Sequence, residues 1–270
     1  MDALRQVKDW PADNVAAGVV RGGKILATQG PRDLEFRWAS VTKPVTALAV
    51  LVAAEEGTVD LDEAAGPPGS TVRHLLAHTS GLPFEGPEPM DFPGRRRIYS
   101  NTGFEVLANF VAERAEMPFE EYLRQAVIEP LGMGAELRGS AGSHLFGDLD
   151  DLLRVARELL APTLVAPETL AEATTVQFPG LAGVIPGMGR FDPNDWGLGF
   201  ELRDDKPGHW SGTMVSSRTF GHWGGSGTFI WVDPEVELAL GVLSDRDFGG
   251  WAKEAWPRLS DAVYEEAITA

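Results

Sequence analysis

Cysteine is absent from the 270 residues of this chain. Its absence excludes a disulfide framework, a thiol nucleophile and thiolate metal ligands. If the protein performs nucleophilic catalysis, we therefore expect the nucleophile to be an oxygen atom.

Basic residues are scarce, with 23 Lys and Arg against 40 Asp and Glu, which gives a formal net charge of -17. A surface of this sign repels the phosphate backbone of nucleic acids and the headgroups of anionic membranes. We therefore expect no nucleic-acid partner.

Long apolar runs are missing as well. The longest, residues 45–54, is interrupted by Thr46 and ends at Glu55, so it is too short to cross a hydrocarbon core of ~30 Å. The residues after Met1 lack an apolar run with a basic flank, which predicts no signal peptide. We expect no membrane insertion and a cytoplasmic protein, although an exported protein without its signal would look the same.

The hydrophobic content of 43% and the charged content of 23% are those of an ordinary globular protein. Strands are predicted at residues 15–20, 24–28, 228–232 and 236–243, and helices at residues 40–56, 72–77, 102–114, 119–128, 149–160, 168–174 and 251–267. This order predicts an α/β (α+β) fold. Residues 1–38 and 181–270 would form a discontinuous domain, an antiparallel sheet flanked by terminal helices. Residues 39–180 would form an inserted, mainly helical lobe, with the active site between the two.

Ser40 and Lys43 lie at the start of the first long predicted helix, three residues apart and hence on one face. A Ser hydroxyl needs a base to become a nucleophile, and a Lys amine serves when burial lowers its pKa. The alternative is a Ser helix cap followed by a solvated Lys. The apolar run after Lys43 favours a buried helix and therefore the catalytic interpretation.

A second candidate element is Tyr99-Ser100-Asn101, directly before the predicted helix 102–114. Tyr99 can share proton transfer if nearby cations lower its pKa. The Asn101 amide suits Lys43 or a substrate amide. The alternative is a packed Tyr followed by an Asn that caps the helix.

A third candidate element is Gly221-His222-Trp223-Gly224-Gly225, before the predicted strand 228–232. The N–H groups of Gly225 and Ser40 would pair as an oxyanion hole. His222 would add a cation or a hydrogen bond, and Trp223 either packs in the core or lines the site. The alternative is a tight turn with a structural His.

Two further groups carry a weaker signal. Arg95, Arg96 and Arg97 precede Tyr99 and would attract an anionic substrate or lower the pKa of Tyr99, although a solvated turn is the favoured interpretation. His74 and His78 have a metal-like spacing of four, but no Glu accompanies them in a zinc-protease pattern. We interpret His74 as a packing residue and His78 as a turn residue, and expect no metal.

In this order, the three elements resemble the serine β-lactamase and penicillin-binding protein superfamily. The resemblance is greatest to the branch that holds class C β-lactamases, D-alanyl-D-alanine carboxypeptidases and esterases. That branch is marked by Ser-x-x-Lys, Tyr-x-Asn and a Lys- or His-x-Gly triplet on a strand. Residues 72–83, 129–133 and 221–229 are also typical of it, and the similarity runs from about Val15 to Leu243.

The resemblance implies a β-lactamase-like fold and a role for each residue of the three motifs. Ser40 would be the nucleophile and Lys43 the proton acceptor. Tyr99 would protonate the leaving group and help to activate water in deacylation. Asn101 would orient Lys43 and the acyl group, and His222 would hold Tyr99 or a substrate carboxylate. No cofactor is implied.

The same resemblance places the oxyanion hole at the N–H groups of Ser40 and Gly225, beside Gly224 and Trp223. Many relatives carry a carboxylate-binding hydroxyl where this chain has Trp223, which favours a neutral ester or amide unless Ser226 and Thr228 restore a hydroxyl nearby. We therefore expect an acyl-enzyme hydrolase for a small ester, a β-lactam or a D-amino-acid amide. The alternative is a penicillin-binding sensor that is acylated without turnover.

Overall fold

The computed structural model describes residues 1–269. The strands are β1 Val15–Arg21, β2 Lys24–Gln29, β3 Phe36–Arg37, β4 Arg97–Ile98, β5 Glu136–Leu137, β6 Leu145–Gly147, β7 Gly183–Ile185, β8 Gly189–Phe191, β9 Glu201–Leu202, β10 Phe220–Gly224, β11 Thr228–Asp233 and β12 Leu238–Ser244. The helices are α1 Thr42–Glu55, α2 Val72–Leu76, α3 Asn101–Ala115, α4 Phe119–Leu123, α5 Leu149–Leu160, α6 Pro167–Ala173 and α7 Gly250–Thr269.

A six-stranded antiparallel sheet forms the centre of the fold, in the order β2-β1-β12-β11-β10-β9. The first two strands, predicted at residues 15–20 and 24–28, form a hairpin, because Gly22 and Gly23 adopt the positive φ angles of 52° and 73° that a tight turn requires. Strand β10, which carries His222, therefore lies between β9 and β11 near one edge of the sheet.

The two faces of this sheet bury different clusters. On β1, Ala16 and Val20 belong to the hydrophobic cluster that contains α1, α3 and α5. Ala17 and Val19 belong to the cluster that contains α7 and the N-terminal 3-10 turn, Ala3–Asp9. This alternation is the period of two that a strand buried on both faces requires. The predicted fold class, an antiparallel sheet with terminal helices and a helical region, is confirmed.

Helix α5 packs directly on the sheet at a pair of glycines. Gly18 and Gly241 lie opposite each other on β1 and β12. A Cβ atom would lie 2.7 Å from a methyl carbon of Leu153 at Gly18 and 2.8 Å from one of Leu152 at Gly241. The two glycines therefore provide the space into which the apolar face of α5 fits.

Two of the predicted helices differ in form from the prediction. Helix α1 begins at Thr42, and Ser40 lies in a preceding 3-10 turn, Ala39–Val41. The predicted helix 119–128 is α4 followed by a π-turn, Arg124–Ile128. Short strands also join the two predicted domains: β3 pairs with β6, and β4 pairs with β7. The division into 1–38 with 181–270 and 39–180 stays a prediction.

None of the helices formed by residues 1–269 has both the length and the apolar character needed to cross a lipid bilayer. The most apolar of them, α1, has only 14 residues.

Candidate active site

The backbone bends sharply just before Ser40. Ala39 adopts a φ angle of 46°, which is unusual for a residue with a side chain. This bend and the 3-10 turn that follows it place Ser40 immediately before α1, partly exposed. Such local strain persists only where the surrounding structure holds it.

Two hydroxyl groups from the β10–β11 turn provide that support. The Ser226 hydroxyl donates to the carbonyl of Arg37 at 2.7 Å, and the Thr228 hydroxyl donates to the carbonyl of Trp38 at 2.8 Å. Both hydroxyls hold the chain before Ser40. The alternative in which they offer a hydroxyl to a substrate carboxylate is therefore disfavoured, because both hydroxyls donate to the main chain.

Lys43 lies one turn after Ser40 and is fully buried. Its Nζ atom lies 3.2 Å from Ser40 Oγ, 2.7 Å from Asn101 Oδ1 and 2.8 Å from the carbonyl oxygen of Gly142. Burial lowers the pKa of Lys43 to about 7, against the opposing charge of Glu105. The amine is therefore substantially neutral near pH 7, as the sequence predicts for a base.

The partners of Lys43 fix the direction of its lone pair. The oxygens of Asn101 and Gly142 accept hydrogen bonds and have no hydrogen to donate. They take both hydrogens of the neutral amine, so the lone pair faces Ser40 Oγ–H. Gly142 was not found from the sequence, because a main-chain carbonyl leaves no trace in residue identity.

Asn101 is the first residue of α3. The cap of this helix is Ser100, whose hydroxyl oxygen accepts from Gly103 N at 2.8 Å. The alternative interpretation of Asn101 as the helix cap is therefore wrong, and its side chain is available to Lys43.

Tyr99 and His222 face each other across the site, with Tyr99 Oη 3.4 Å from His222 Nε2. His222 Nδ1 lies 2.7 Å from the carbonyl of Trp223, so it carries the hydrogen and Nε2 accepts from the Tyr99 hydroxyl. Burial, and then the nearby charge of Lys43, lower the pKa of His222 to about 3. The expectation of a cation at His222 is wrong, and the alternative of a hydrogen bond holds.

The pKa of Tyr99 moves opposite to the expected direction. Burial raises it above its ordinary value, Glu201 raises it further and Ser40 opposes the shift. Tyr99 is therefore a proton donor at neutral pH, and the expectation of a lowered pKa is wrong.

Arg97 explains part of this difference, because it is 2% exposed and its hydrogen bonds go to main-chain groups rather than to Tyr99. Its guanidinium group donates to the main-chain carbonyls of Ala77, Gln177, Phe178 and Asn194. The favoured interpretation of a solvated turn is wrong for Arg97. Its neighbours Arg95 and Arg96 are exposed.

A cavity of about 120 Å³ brings five of the candidate residues together. Its lining is Ser40, Phe84, Tyr99, Ile185, Pro186, Trp196, His222, Trp223 and Gly225. Lys43 and Asn101 are not part of the lining: Lys43 Nζ contacts Ser40 Oγ, and Asn101 contacts Lys43. Gly224 is not part of the lining, and a Cβ atom there would lie 2.5 Å from the carbonyl oxygen of Trp38.

Four of the lining residues were not found from the sequence: Phe84, Ile185, Pro186 and Trp196. They come from separate loops and short strands, so no spacing relates them. Packing in the core and lining of the site were predicted as alternatives for Trp223, and it does both. It packs on Phe248 at 4.3 Å between ring centroids and also lines the cavity.

A buried charged cluster lies behind Trp196. The Glu201 carboxylate is 3.0 Å from His209 Nε2, accepts from Trp210 Nε1 at 2.9 Å and lies 3.6 Å from Lys206 Nζ. Lys206 Nζ is 5.6 Å from the centre of the Trp196 ring. Burial by itself raises the pKa of Glu201, but Lys206 and His209 outweigh it and lower the pKa to about 2.

The two candidate metal ligands have other partners. His74 Nδ1 lies 2.8 Å from the Thr71 hydroxyl, and His78 Nδ1 accepts from Ser100 N. Among residues 1–269, no three His, Asp or Glu side chains form a group that could hold a metal ion.

Known proteins are similar to this chain in sequence and in fold. The Beta-lactamase family matches over residues 8–135 and 134–264. A crystal structure of a β-lactamase from Mycobacterium bovis is 53% identical, with a TM-score of 0.97 over 98% of each chain. Esterase EstB from Burkholderia gladioli is 26% identical over 91% of this chain and 89% of its own length. Penicillin-binding protein 4* from Bacillus subtilis is 29% identical, but over only 36% of this chain and 29% of its own length. The chain therefore belongs to the Beta-lactamase family and is a hydrolase of that family.

Proposed function

We propose that the protein hydrolyses small, uncharged esters through an acyl-enzyme on Ser40. The observation that carries this proposal is the hydrogen bonding of Lys43, whose two acceptor partners leave its lone pair for the Ser40 hydroxyl 3.2 Å away. A neutral amine in this position is the base that a Ser nucleophile requires.

The reaction begins when Ser40 Oγ attacks the ester carbonyl carbon and its proton passes to Lys43 Nζ. The oxyanion that forms is bound by the N–H groups of Ser40 and Gly225, and each such donor typically contributes about 3 kcal/mol. When the tetrahedral intermediate collapses, the C–O bond to the alcohol breaks. The leaving alkoxide takes a proton from the Tyr99 hydroxyl, which the Lys43 ammonium then replaces.

Deacylation repeats these steps with water in place of Ser40. Neutral Lys43 accepts the water proton and the hydroxide adds to the acyl carbon. The bond from Ser40 Oγ to that carbon then breaks, and Ser40 Oγ takes the proton back from the Lys43 ammonium. His222 does not transfer a proton in this scheme. It accepts from the Tyr99 hydroxyl before the reaction and so holds the phenol in place until this hydrogen turns to the leaving alkoxide.

The lining of the cavity argues for an uncharged substrate. It is mostly aromatic and aliphatic, and none of its members is a Lys or Arg. His222 is neutral at physiological pH, so a substrate carboxylate would lose its hydration without gaining a cation. A volume of about 120 Å³ suits an acyl chain of a few carbons.

A matched pair of esters tests this substrate class. We expect p-nitrophenyl butyrate to turn over with a kcat/KM at least about tenfold higher than that of p-nitrophenyl hemisuccinate, which has a similar acyl chain ending in a carboxylate. Mass spectrometry after rapid acid quench should place the butyryl group on Ser40. Equal rates for the two esters would exclude the proposed selectivity.

The second candidate function is a penicillin-binding protein that is acylated without turnover, favoured by the similarity to penicillin-binding protein 4*. A chromogenic cephalosporin separates the two functions. A stable cephalosporin adduct, with no ester turnover, would support the sensor. The absence of both an adduct and turnover with either substrate would overturn both functions.

The pKa of Lys43 predicts the pH dependence. Protonation removes the lone pair that activates Ser40, so kcat/KM should be half-maximal near pH 7 and fall about tenfold per pH unit below it. The raised pKa of Tyr99 keeps the plateau flat between about pH 8 and 9. A flat profile between about pH 5 and 9, in an assay limited by chemistry, would exclude Lys43 as the base.

A further inference from the structure

His78 follows α2 and lies behind Tyr99. It is 1% exposed, and its φ angle of 57° is in the left-handed region. The sequence predicts only a turn residue here. Its contacts show a more specific arrangement around Tyr99-Ser100-Asn101.

His78 is bonded to the chain on both sides of Tyr99. Its main-chain oxygen accepts from Ile98 N at 2.8 Å, and its ring Nδ1 accepts from Ser100 N at 3.1 Å. The centre of its ring lies 4.5 Å from the centre of the Tyr99 ring. One residue therefore fixes the backbone before and after Tyr99 and contacts its side chain.

The hydrogen bonds also define the state of the ring. Because Nδ1 accepts from a backbone amide, the single hydrogen of the neutral ring is on Nε2. Burial, followed by the nearby charges of Lys43, His222 and Arg97, lowers the pKa of His78 well below its ordinary value. The ring therefore stays neutral, and Nδ1 remains an acceptor over the working pH range.

Stability alone does not account for His at this position. Within residues 1–269 the His78 Nε2 atom is buried without a hydrogen-bond partner. An unpaired buried donor and a left-handed backbone both cost stability. These costs are explained if the ring has a task that an apolar side chain cannot perform.

We propose that His78 is a positioning residue that holds Tyr99 and Asn101 in place against Ser40 and Lys43. The amide that it binds belongs to Ser100, the cap of α3, and Asn101 Oδ1 lies 2.7 Å from Lys43 Nζ. Loss of the Nδ1 acceptor releases the segment that carries both side chains. This proposal rests on the proposed function, because it assigns a role within the same site.

Two substitutions of similar size separate positioning from packing. In His78→Asn, the Oδ1 atom takes the place of Nδ1 at the same number of bonds from the backbone, and Asn tolerates a left-handed φ angle. In His78→Leu the acceptor is lost. We expect His78→Leu to lower kcat for p-nitrophenyl butyrate about 10- to 100-fold with little change in KM, and His78→Asn to restore kcat to within a few-fold of wild type. Equal losses of kcat in both variants, at temperatures where both are folded, would overturn the proposal.

A third variant covers the case in which His78→Leu does not fold. His78→Gln keeps a polar amide of similar length, but its oxygen is one bond further from the backbone than Nδ1. We expect kcat for His78→Gln to fall below that for His78→Asn. If Gln supports the reaction as well as Asn does, the position of the acceptor does not matter and the proposal fails.

A measurement without substrate distinguishes failure of this proposal from failure of the proposed function. Hydrogen exchange of the Ser100 amide, followed by NMR, should be slow in the wild type and His78→Asn and at least tenfold faster in His78→Leu. If wild-type turnover is independent of Ser40, the proposed function fails while this exchange still reports on the hydrogen bond. If Ser40 is essential but Ser100 exchange is the same in all variants, the positioning role alone is wrong.

Discussion

Ser40→Ala and Lys43→Met are each expected to lower kcat/KM for p-nitrophenyl butyrate on the order of 10⁴-fold, and the double variant should be no slower than either. The reason is that Ser40 and Lys43 act as one unit. Without the hydroxyl, the amine has no proton to accept, and without the amine the hydroxyl is not activated.

The residual rate should be the same in all three variants. It comes from the groups that remain, which are the proposed oxyanion hole and the cavity that holds the ester. Additive losses, with the double variant on the order of 10⁴-fold below each single one, would mean that the two residues act in independent steps. That result would contradict the proton transfer proposed between them.

The fold of Lys43→Met should survive, which makes its loss of activity interpretable. Met fills a similar volume and removes an amine whose burial is itself unfavourable, although the Gly142 carbonyl and Asn101 Oδ1 lose their donor. We expect thermal midpoints within a few degrees of wild type. Lys253 on α7 is exposed, so Lys253→Met is the matched control for the lost charge and should retain full activity.

The pairing of Ser40 with Lys43 was predictable because it depends on local geometry. Two residues that lie three positions apart near the start of a helix share one face, and the apolar run from 44 to 54 indicates burial. The same burial lowers the pKa of Lys43 to about 7. For a short, regular element such as this helix start, both the geometry and the direction of the pKa shift can therefore be predicted from the sequence.

The properties of Tyr99 were not predictable in this way. Three arginines precede it, which suggested a lowered pKa, but Arg97 donates to four main-chain carbonyls from distant segments. Those acceptors belong to residues 77, 177, 178 and 194. The direction of a pKa shift depends on where side chains face, and that is decided by contacts far apart in the chain.

The residues that line the cavity could not be predicted from the sequence either. Phe84, Ile185 and Trp196 are brought together by three separate segments, and none belongs to a periodic pattern. His78 is intermediate, because its place after a short helix was evident whereas its hydrogen bond to Ser100 was not. The motif residues can be identified from their local spacing in the sequence. The residues that support them can be identified only once the fold is known.

The largest expected effect on stability lies at the buried cluster of Glu201 and Lys206. Glu201 is 1% exposed, and Lys206 Nζ also donates to the carbonyls of Asp195 and Leu202. Removing one member of a buried ion pair leaves the other charge without compensation, which typically costs about 3–5 kcal/mol. We expect Glu201→Gln and Lys206→Met each to lower the free energy of unfolding by about this amount and the thermal midpoint by about 10 °C.

A double-mutant cycle tests whether the two losses of stability both come from the interaction between Glu201 and Lys206. The variant with both substitutions should be more stable than the sum of the single effects implies, by about 1–3 kcal/mol. Additivity within about 0.5 kcal/mol would show that the 3.6 Å approach of the two groups contributes no coupling. Glu254 is exposed on α7, and Glu254→Gln, the matched control, should leave the thermal midpoint unchanged.

The pH dependence of the unfolding free energy tests independently whether the charge of Glu201 stabilises the fold. Folding lowers the pKa of Glu201 from 4.5 to about 2, so its ionisation stabilises the protein above pH 4.5 and this contribution is lost as the pH falls toward 2. Gln has no proton to gain, so the difference in unfolding free energy between wild type and Glu201→Gln should narrow as the pH is lowered from 6 to about 3. Denaturant titrations over that range measure it. A difference that stays constant or widens would mean that the cost of the substitution comes from hydrogen-bond geometry rather than from the buried charge.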